Sequence, residues 1–276
     1  MKVCFMYDAE TNEKYLEILS KMTPGRSGKW KDMVGVTSIE EADWVVVVNR
    51  TSRTVPLDRT LFISAEPALE GLAGHEDHDN KIHKLDNKNT FGFGEWWIKH
   101  DYDTLSAMKC PDKQKDIVCI MSNSGGRFSR ERRKEFAGIL DKNGVHVCGR
   151  IKGIGTGELG TNTLTTYWFG KADVLEQYKY SVAVDIGQCK HYFSERFFDS
   201  MLMWCLPLYW GGTNVEDYLP KESFRYIDIY GDGSDVLKYT NSDEWEKSKN
   251  AIAEARNLIL NKYQIWARVY DYVQSV

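Results

Sequence analysis

The chain has 276 residues, 42% of them hydrophobic and 28% charged, with a formal net charge of −4. That length and apolar share suit two lobes with separate cores. Lysines and arginines are spread along the sequence with no stripe that follows a phosphate backbone, so nucleic acid is not the expected partner. The start turns acidic at Asp8 before a signal-peptide core can form, and no apolar run approaches the ~20 residues of a membrane span, which predicts a cytoplasmic protein. Six cysteines stand singly, without a Cys-x-x-Cys pair, and read as buried reduced thiols. Nine tryptophans and fifteen tyrosines serve sugar stacking or core filling equally well.

Strands are predicted over residues 2–7, 44–48 and 61–64, then over 117–122, 145–148, 181–184, 206–209 and 225–229, with helical stretches between them. This alternation reads as α/β. Uninterrupted runs such as Val45-Val-Val-Val48 fit strands covered on both faces, as in parallel sheets. The polar, lysine-rich segment 109–115 places a boundary between a first lobe, residues 1–110, and a second, residues 111–250. Both are expected to be Rossmann-like.

Within the first lobe, Leu61-Phe-Ile-Ser-Ala-Glu66 is a buried strand ending in an acid that the following proline holds extended. Strand ends facing a crevice are where α/β sites gather. His75-Glu-Asp-His-Asp79 with His83 has metal-ligand residue types but no zinc spacing, and reads as a solvated loop. Phe91-Gly-Phe-Gly-Glu-Trp-Trp97 sets aromatics among glycines; Trp96 and Trp97 are candidates for an acceptor-sugar platform, with core packing as the plainer reading.

In the second lobe a small-residue turn follows the 117–122 strand, and residues 129–140 form a helix carrying Arg130, Arg132 and Arg133. The glycine-rich segment 149–160 is a connector or a lid. Ser194 is a good N-cap for a helix whose Phe197, Phe198, Met201, Leu202 and Cys205 bury one face, which turns the helix start toward the crevice. Unsatisfied N–H groups and the positive dipole end at such a place bind a diphosphate, Arg196 adds charge, and Glu195 can accept from ribose hydroxyls. Taken alone, Glu195 and Arg196 are ordinary first-turn charges. Asp228-Ile-Tyr-Gly-Asp-Gly233 looks like a metal-binding Asp-x-Asp but reads better as a turn. Residues 243–273 have a helical period, so one long C-terminal helix is expected, with 251–276 packing across the lobes.

Four linked segments, Gln177-Tyr-Lys-Tyr180, Tyr192-Phe-Ser-Glu-Arg196, Leu206-Pro-Leu-Tyr-Trp-Gly211 and Pro220-Lys-Glu-Ser-Phe-Arg-Tyr-Ile-Asp228, resemble in order and spacing the donor-binding region of the α-1,3/1,4-fucosyltransferases, glycosyltransferase family 10, especially its bacterial members. The resemblance implies a two-lobed GT-B enzyme that moves a sugar, by implication fucose from GDP-fucose, to a glycan hydroxyl with inversion. It places Tyr192 against the donor, Glu195 on the ribose and Arg196 where the family has a pyrophosphate lysine. It also makes Arg133 a second pyrophosphate arginine, with Arg132 the alternative, and Glu66 the general base. With diphosphate charge carried by arginines and a helix dipole, no metal or other cofactor is expected. The sequence departs from the family at Asp185-Ile-Gly187, where members carry Glu-Asn-(Ser/Thr); Asp185 is one carbon shorter and the amide is gone. The spacing of Ser194, Arg196 and Asp199 before Cys205-Leu-Pro207 also resembles exostosin-like enzymes, which use UDP sugars. A sugar-binding protein that kept the fold and lost the chemistry is the remaining alternative.

Overall fold

The structure, a computed structural model, describes residues 1–66, 81–85, 90, 94–121, 127–149 and 164–276. The first sheet comprises β1 (Lys2–Met6), β2 (Lys29–Trp30), β3 (Met33–Val36), β4 (Trp44–Val48), β5 (Thr60–Ile63) and β6 (His83–Leu85), in the order β2-β3-β1-β4-β5-β6. Every pairing is parallel except β2 with β3. Alternation along the central strands explains the burial. Val3, Phe5, Val46, Val48, Leu61 and Ile63 join the main core, while Cys4, Met6, Val45, Val47 and Phe62 form a second cluster on the opposite face. A sheet apolar on both sides needs cover on both. Helix α1 (Asn12–Ser20), capped by the Thr11 hydroxyl accepting from the Lys14 amide, supplies one side.

Helix α2 (Tyr102–Ala107) leads to an irregular connection and then to the second sheet. Its strands β7 (Lys115–Ile120), β8 (His146–Cys148), β9 (Tyr178–Val184), β10 (Leu206–Trp210) and β11 (Arg225–Tyr226) run all parallel in the order β11-β10-β9-β7-β8. Helices α3 (Arg127–Lys142), α4 (Leu164–Leu175) and α5 (Glu195–Leu202) alternate with them. All six cysteines are free thiols, four of them buried. The α/β expectation is met in both lobes. Three strands were not foreseen, β2, β3 and β6, because segments of two to four residues carry too little periodicity to read.

The expected single C-terminal helix is not continuous. After α6 (Ser234–Leu237), α7 (Glu244–Leu258) runs into a wide π-helical turn at Ile259–Tyr263, and Gln264 is extended before α8 (Ile265–Val273) begins. The Gln264 side chain accepts from the Trp266 amide and so caps α8. The break divides the two helices between the lobes. Helix α7 belongs to the second, where the Trp245 indole donates to Trp204 O at 2.8 Å. Helix α8 belongs to the first: Trp266 packs 4.7 Å from Phe5 and donates to Leu19 O at 2.9 Å. The crossing is tight. Ile265 N donates to Gly94 O at 2.8 Å, and a Cβ on Gly94 would lie 1.9 Å from Tyr263 O.

Trp266 is fully buried and bonds a carbonyl that ends α1. Trp266→Ala is expected to cost about 3–5 kcal/mol, read as a fall in the urea midpoint; an unchanged midpoint would contradict the role given to α8.

Candidate active site

Asp185 stands just beyond β9, and its amide donates to Trp210 O at 2.9 Å, which continues the β9–β10 ladder by one residue. Its carboxylate is fully buried. One oxygen accepts from the Ser194 hydroxyl; the other accepts from Tyr209 OH at 2.6 Å and from the Ser194 amide at 3.3 Å. Burial pushes the carboxyl up to about 6, against the downward pull of those hydroxyl bonds. Tyr209 OH in turn accepts from Gly212 N at 2.7 Å. The turn after β10 admits only glycine, since a Cβ on Gly211 would sit 2.2 Å from Tyr209 OH and 2.5 Å from an Asp185 oxygen. Asp185 thus fixes the residue that caps α5.

Ser194 caps in the expected way, its Oγ accepting from the Arg196 amide at 3.2 Å. Phe197, Phe198, Met201 and Leu202 are buried, so the apolar face lies inward and the start of α5 opens at the carboxyl end of the sheet. Glu195 and Arg196 lie side by side, 3.4 Å apart and each only 15% exposed. Arg133, on α3, is 1% exposed and reaches the same place. Burial, and next the positive charge of Arg196, lower its guanidinium to about 10, with Asp185 and Glu195 opposing. Two guanidinium groups that repel each other beside a helix N-terminus form a site electrostatically suited to an anion. Tyr192 is buried against this cluster, and burial together with the charges of Asp185, Glu66 and Glu195 raises its phenol well above the ordinary range.

Glu66, three residues past β5, faces the cluster from the other lobe. Burial raises its proton affinity, Glu195 adds to the rise, and Arg196 counters it. The first lobe also brings two groups that the sequence did not single out. Tyr7, just past β1, has its phenol raised by burial first and then by the charges of Glu66 and Glu95. Glu95 is buried and pushed up to about 7 by desolvation, against the opposing Lys21 ammonium and a hydrogen bond from Trp97. Glu95 lay hidden inside a segment whose aromatic residues drew the attention.

Trp96 is not a sugar platform. At 1% exposure, with its indole donating to His100 O and its own carbonyl accepting from Lys21 Nζ at 2.6 Å, it is a core residue with no free face. Trp97 is half-buried at the junction of the lobes, its amide donating to Asp199 Oδ1 at 2.8 Å. The other Asp199 oxygen pairs with Lys171 Nζ at 2.5 Å, in a fully buried ion pair. The Asp199 spacing shared with exostosin-like enzymes therefore serves an internal tie here. Residues 228–233 form a turn, with Asp228 Oδ1 accepting from the Tyr230 amide. The cluster His75 to Asp79, the aromatics Phe91 and Phe93 and most of the glycine-rich segment 149–160 lie outside the described residues. Among the described residues, no group of three or more His, Cys, Asp or Glu is placed to hold a metal ion.

The fold has counterparts among solved structures. A crystal structure of an alpha1,3-fucosyltransferase with GDP superposes with a TM-score of 0.52 at 15% identity, covering 99% of this chain and 90% of that one. One with GDP-fucose gives 0.50 at 13% identity with the same coverage. Two parallel α/β lobes with a C-terminal segment returning to the first define the GT-B class. The profile described as "Glycosyltransferase family 10 (fucosyltransferase) C-term" matches residues 110–252, just over half of the sequence. The chain belongs to that family. A fucosyltransferase-like protein of Arabidopsis thaliana is 26% identical over 148 residues, 53% of this chain and 26% of its own length. Alpha-(1,3)-fucosyltransferase B of Drosophila melanogaster is 25% identical over 68 residues, 24% of this chain and 15% of its own length. The chain spans about a quarter or less of these curated relatives.

Glu95 carries a pH signature. A carboxyl at about 7 in the fold and 4.5 in the unfolded chain binds its proton more tightly when folded, so its contribution to stability falls as pH rises from about 4.5 to 7. Glu95→Gln removes that loss. Relative to the unaltered protein, the variant is expected to gain thermal stability between pH 5 and pH 7.5; a pH-independent difference would show that Glu95 titrates normally.

Proposed function

We propose that the chain is an inverting glycosyltransferase that moves fucose from GDP-fucose to a hydroxyl of a glycan acceptor, without a metal. The observation that supports it most is the convergence of Arg133 and Arg196, from separate helices, on the capped start of α5. The donor diphosphate lies there, and negative charge growing on the departing GDP is met by two fixed guanidinium groups and the helix N–H groups. Glu195 accepts from the ribose and Tyr192 lies against the donor, as the family resemblance implies. Asp185 serves the donor through Ser194, by fixing where the helix starts.

Glu66 faces that cluster and is the general base. It takes the proton of the acceptor hydroxyl as the oxygen attacks the anomeric carbon from the side opposite the phosphate. The bond from that carbon to the β-phosphate oxygen breaks, and GDP leaves with the electron pair. A β-linked donor gives an α-linked product. A base must be ionised to act, so the raised proton affinity of Glu66 sets the acidic limb of kcat/KM above the ordinary glutamate value of 4.5. Trp97 stands on the acceptor side, near Glu95. Among the described residues no helix is long and apolar enough to cross a membrane.

The tests separate donor from chemistry. In thermal shift against a panel of GDP and UDP sugars, a donor at a hundred times its dissociation constant should add ~2.7 kcal/mol; preference for a UDP sugar would reassign the donor. Glu66→Gln should lower turnover at least about a hundredfold and keep GDP binding. Turnover should survive EDTA, and NMR should show inversion of configuration. Loss with EDTA, or retention of configuration, would refute the mechanism.

A further inference from the structure

The phosphate cluster accounts for Arg133 and leaves its neighbour Arg132 without a task in the reaction. Arg132 turns toward the segment after β11. Its guanidinium lies 5.4 Å from the centre of the Tyr230 ring, Nη2 donates to Gly231 O at 3.1 Å, and Nη1 pairs with Glu135 at 3.1 Å. The Trp210 ring meets Tyr230 nearly edge-on, with centroids 6.1 Å apart. The backbone of that turn is fixed as well, since the Tyr230 amide donates to Asp228 Oδ1 at 2.8 Å and the Ser234 amide to Asp232 Oδ1 at 2.9 Å. Tyr230 is nonetheless 64% exposed. Its hydroxyl meets no partner among the described residues. Tyr226, the other exposed tyrosine among the described residues, differs: its hydroxyl donates to Glu216 and accepts from the Val215 amide, a structural duty.

The position of Tyr230 matters as much as its exposure. Strands β9, β10 and β11 are parallel, so the turn after β11 opens at the same end of the sheet as Asp185 and α5. Trp210, which touches Tyr230, also accepts the Asp185 amide through its carbonyl. Glu66, the base of the donor reading, is half-buried on the first lobe and faces Glu195 and Arg196 across the crevice. With the phosphates of a donor at Arg196 and Arg133 and its ribose at Glu195, Tyr230 stands beside them on the second lobe, against Arg132, the neighbour of Arg133 on α3.

We propose that Tyr230, backed by Arg132 and Trp210, is the platform on which the purine base of the nucleotide stacks. The inference rests on the donor reading given above. A ring held by a cation and a second aromatic, with its remaining surface open, offers a flat base contact area at little ordering cost. The sequence reading passed it over because Asp228 to Gly233 reads as a turn, which it is.

Isothermal titration of the unaltered chain, Tyr230→Ala and Tyr230→Phe with GDP and with inorganic pyrophosphate tests it. The alanine variant should bind GDP about tenfold more weakly, the phenylalanine variant within about twofold of the unaltered chain, and pyrophosphate should bind all three alike. Equal GDP affinity in the alanine variant overturns the platform, as does a phenylalanine variant as weak as alanine, or an equal loss for pyrophosphate. Failure of the unaltered chain to bind GDP or any nucleoside diphosphate overturns the donor reading and the platform together. Tyr230 is exposed, so both variants should keep the thermal midpoint of the unaltered chain, which is the control for folding.

Discussion

The buried carboxylate of Asp185 is the constraint from which the rest of the site follows. It is held at the end of a central strand by the β-ladder, and it holds both the amide and the hydroxyl of Ser194. A helix cannot slide along its axis when its cap is pinned in this way, so Glu195 and Arg196 are placed by the sheet. An acid buried to this depth is costly unless its oxygens are satisfied, and Tyr209 OH and the close turn at Gly211 and Gly212 meet that need. A longer acid would have to displace Ser194 or Tyr209, both already in contact with Asp185.

Position across the crevice depends on a second set of bonds. Asp199, one turn further along α5 than Arg196, joins the Trp97 amide of the first lobe to the Lys171 ammonium of the second. A buried pair of this kind adds little net stability, because desolvation offsets the attraction, but losing either member leaves the other charge stranded. Its contribution is to geometry. The same helix that presents Arg196 at the crevice is fastened to the lobe that carries Glu66, so the two sides of the crevice share one reference frame.

What could be read from the sequence followed from how local each signal is. Val45 to Val48 and Ser194 with its apolar helix declared themselves, because a buried parallel strand and a capped amphipathic helix are specified by their own residues. The convergence of Arg133 with Arg196 came from family likeness and not from spacing, since the two are far apart in sequence. The break at Gln264 was missed because the apolar period continues through it: Ile259 and Ile265 are both buried, in different lobes. Trp96 was misjudged for a related reason, as periodicity finds apolar residues but not which of them a neighbouring segment covers. Glu95 and Lys21 gave no local sign, because a charge buried by tertiary packing looks in sequence like any surface residue.

The chain's passage through Gly94 and Gln264 has a bearing on how the molecule can be taken apart. Because α8 returns to the first sheet, that lobe is assembled from two stretches separated by the whole of the second. A cut in the connection after α2 would release a leading fragment deprived of the indole that fills its centre, and a trailing fragment with a greasy helix and nothing to cover it. Any dissection that respects the architecture needs a second cut near Gln264, or a rearranged chain order that carries α8 along with β1.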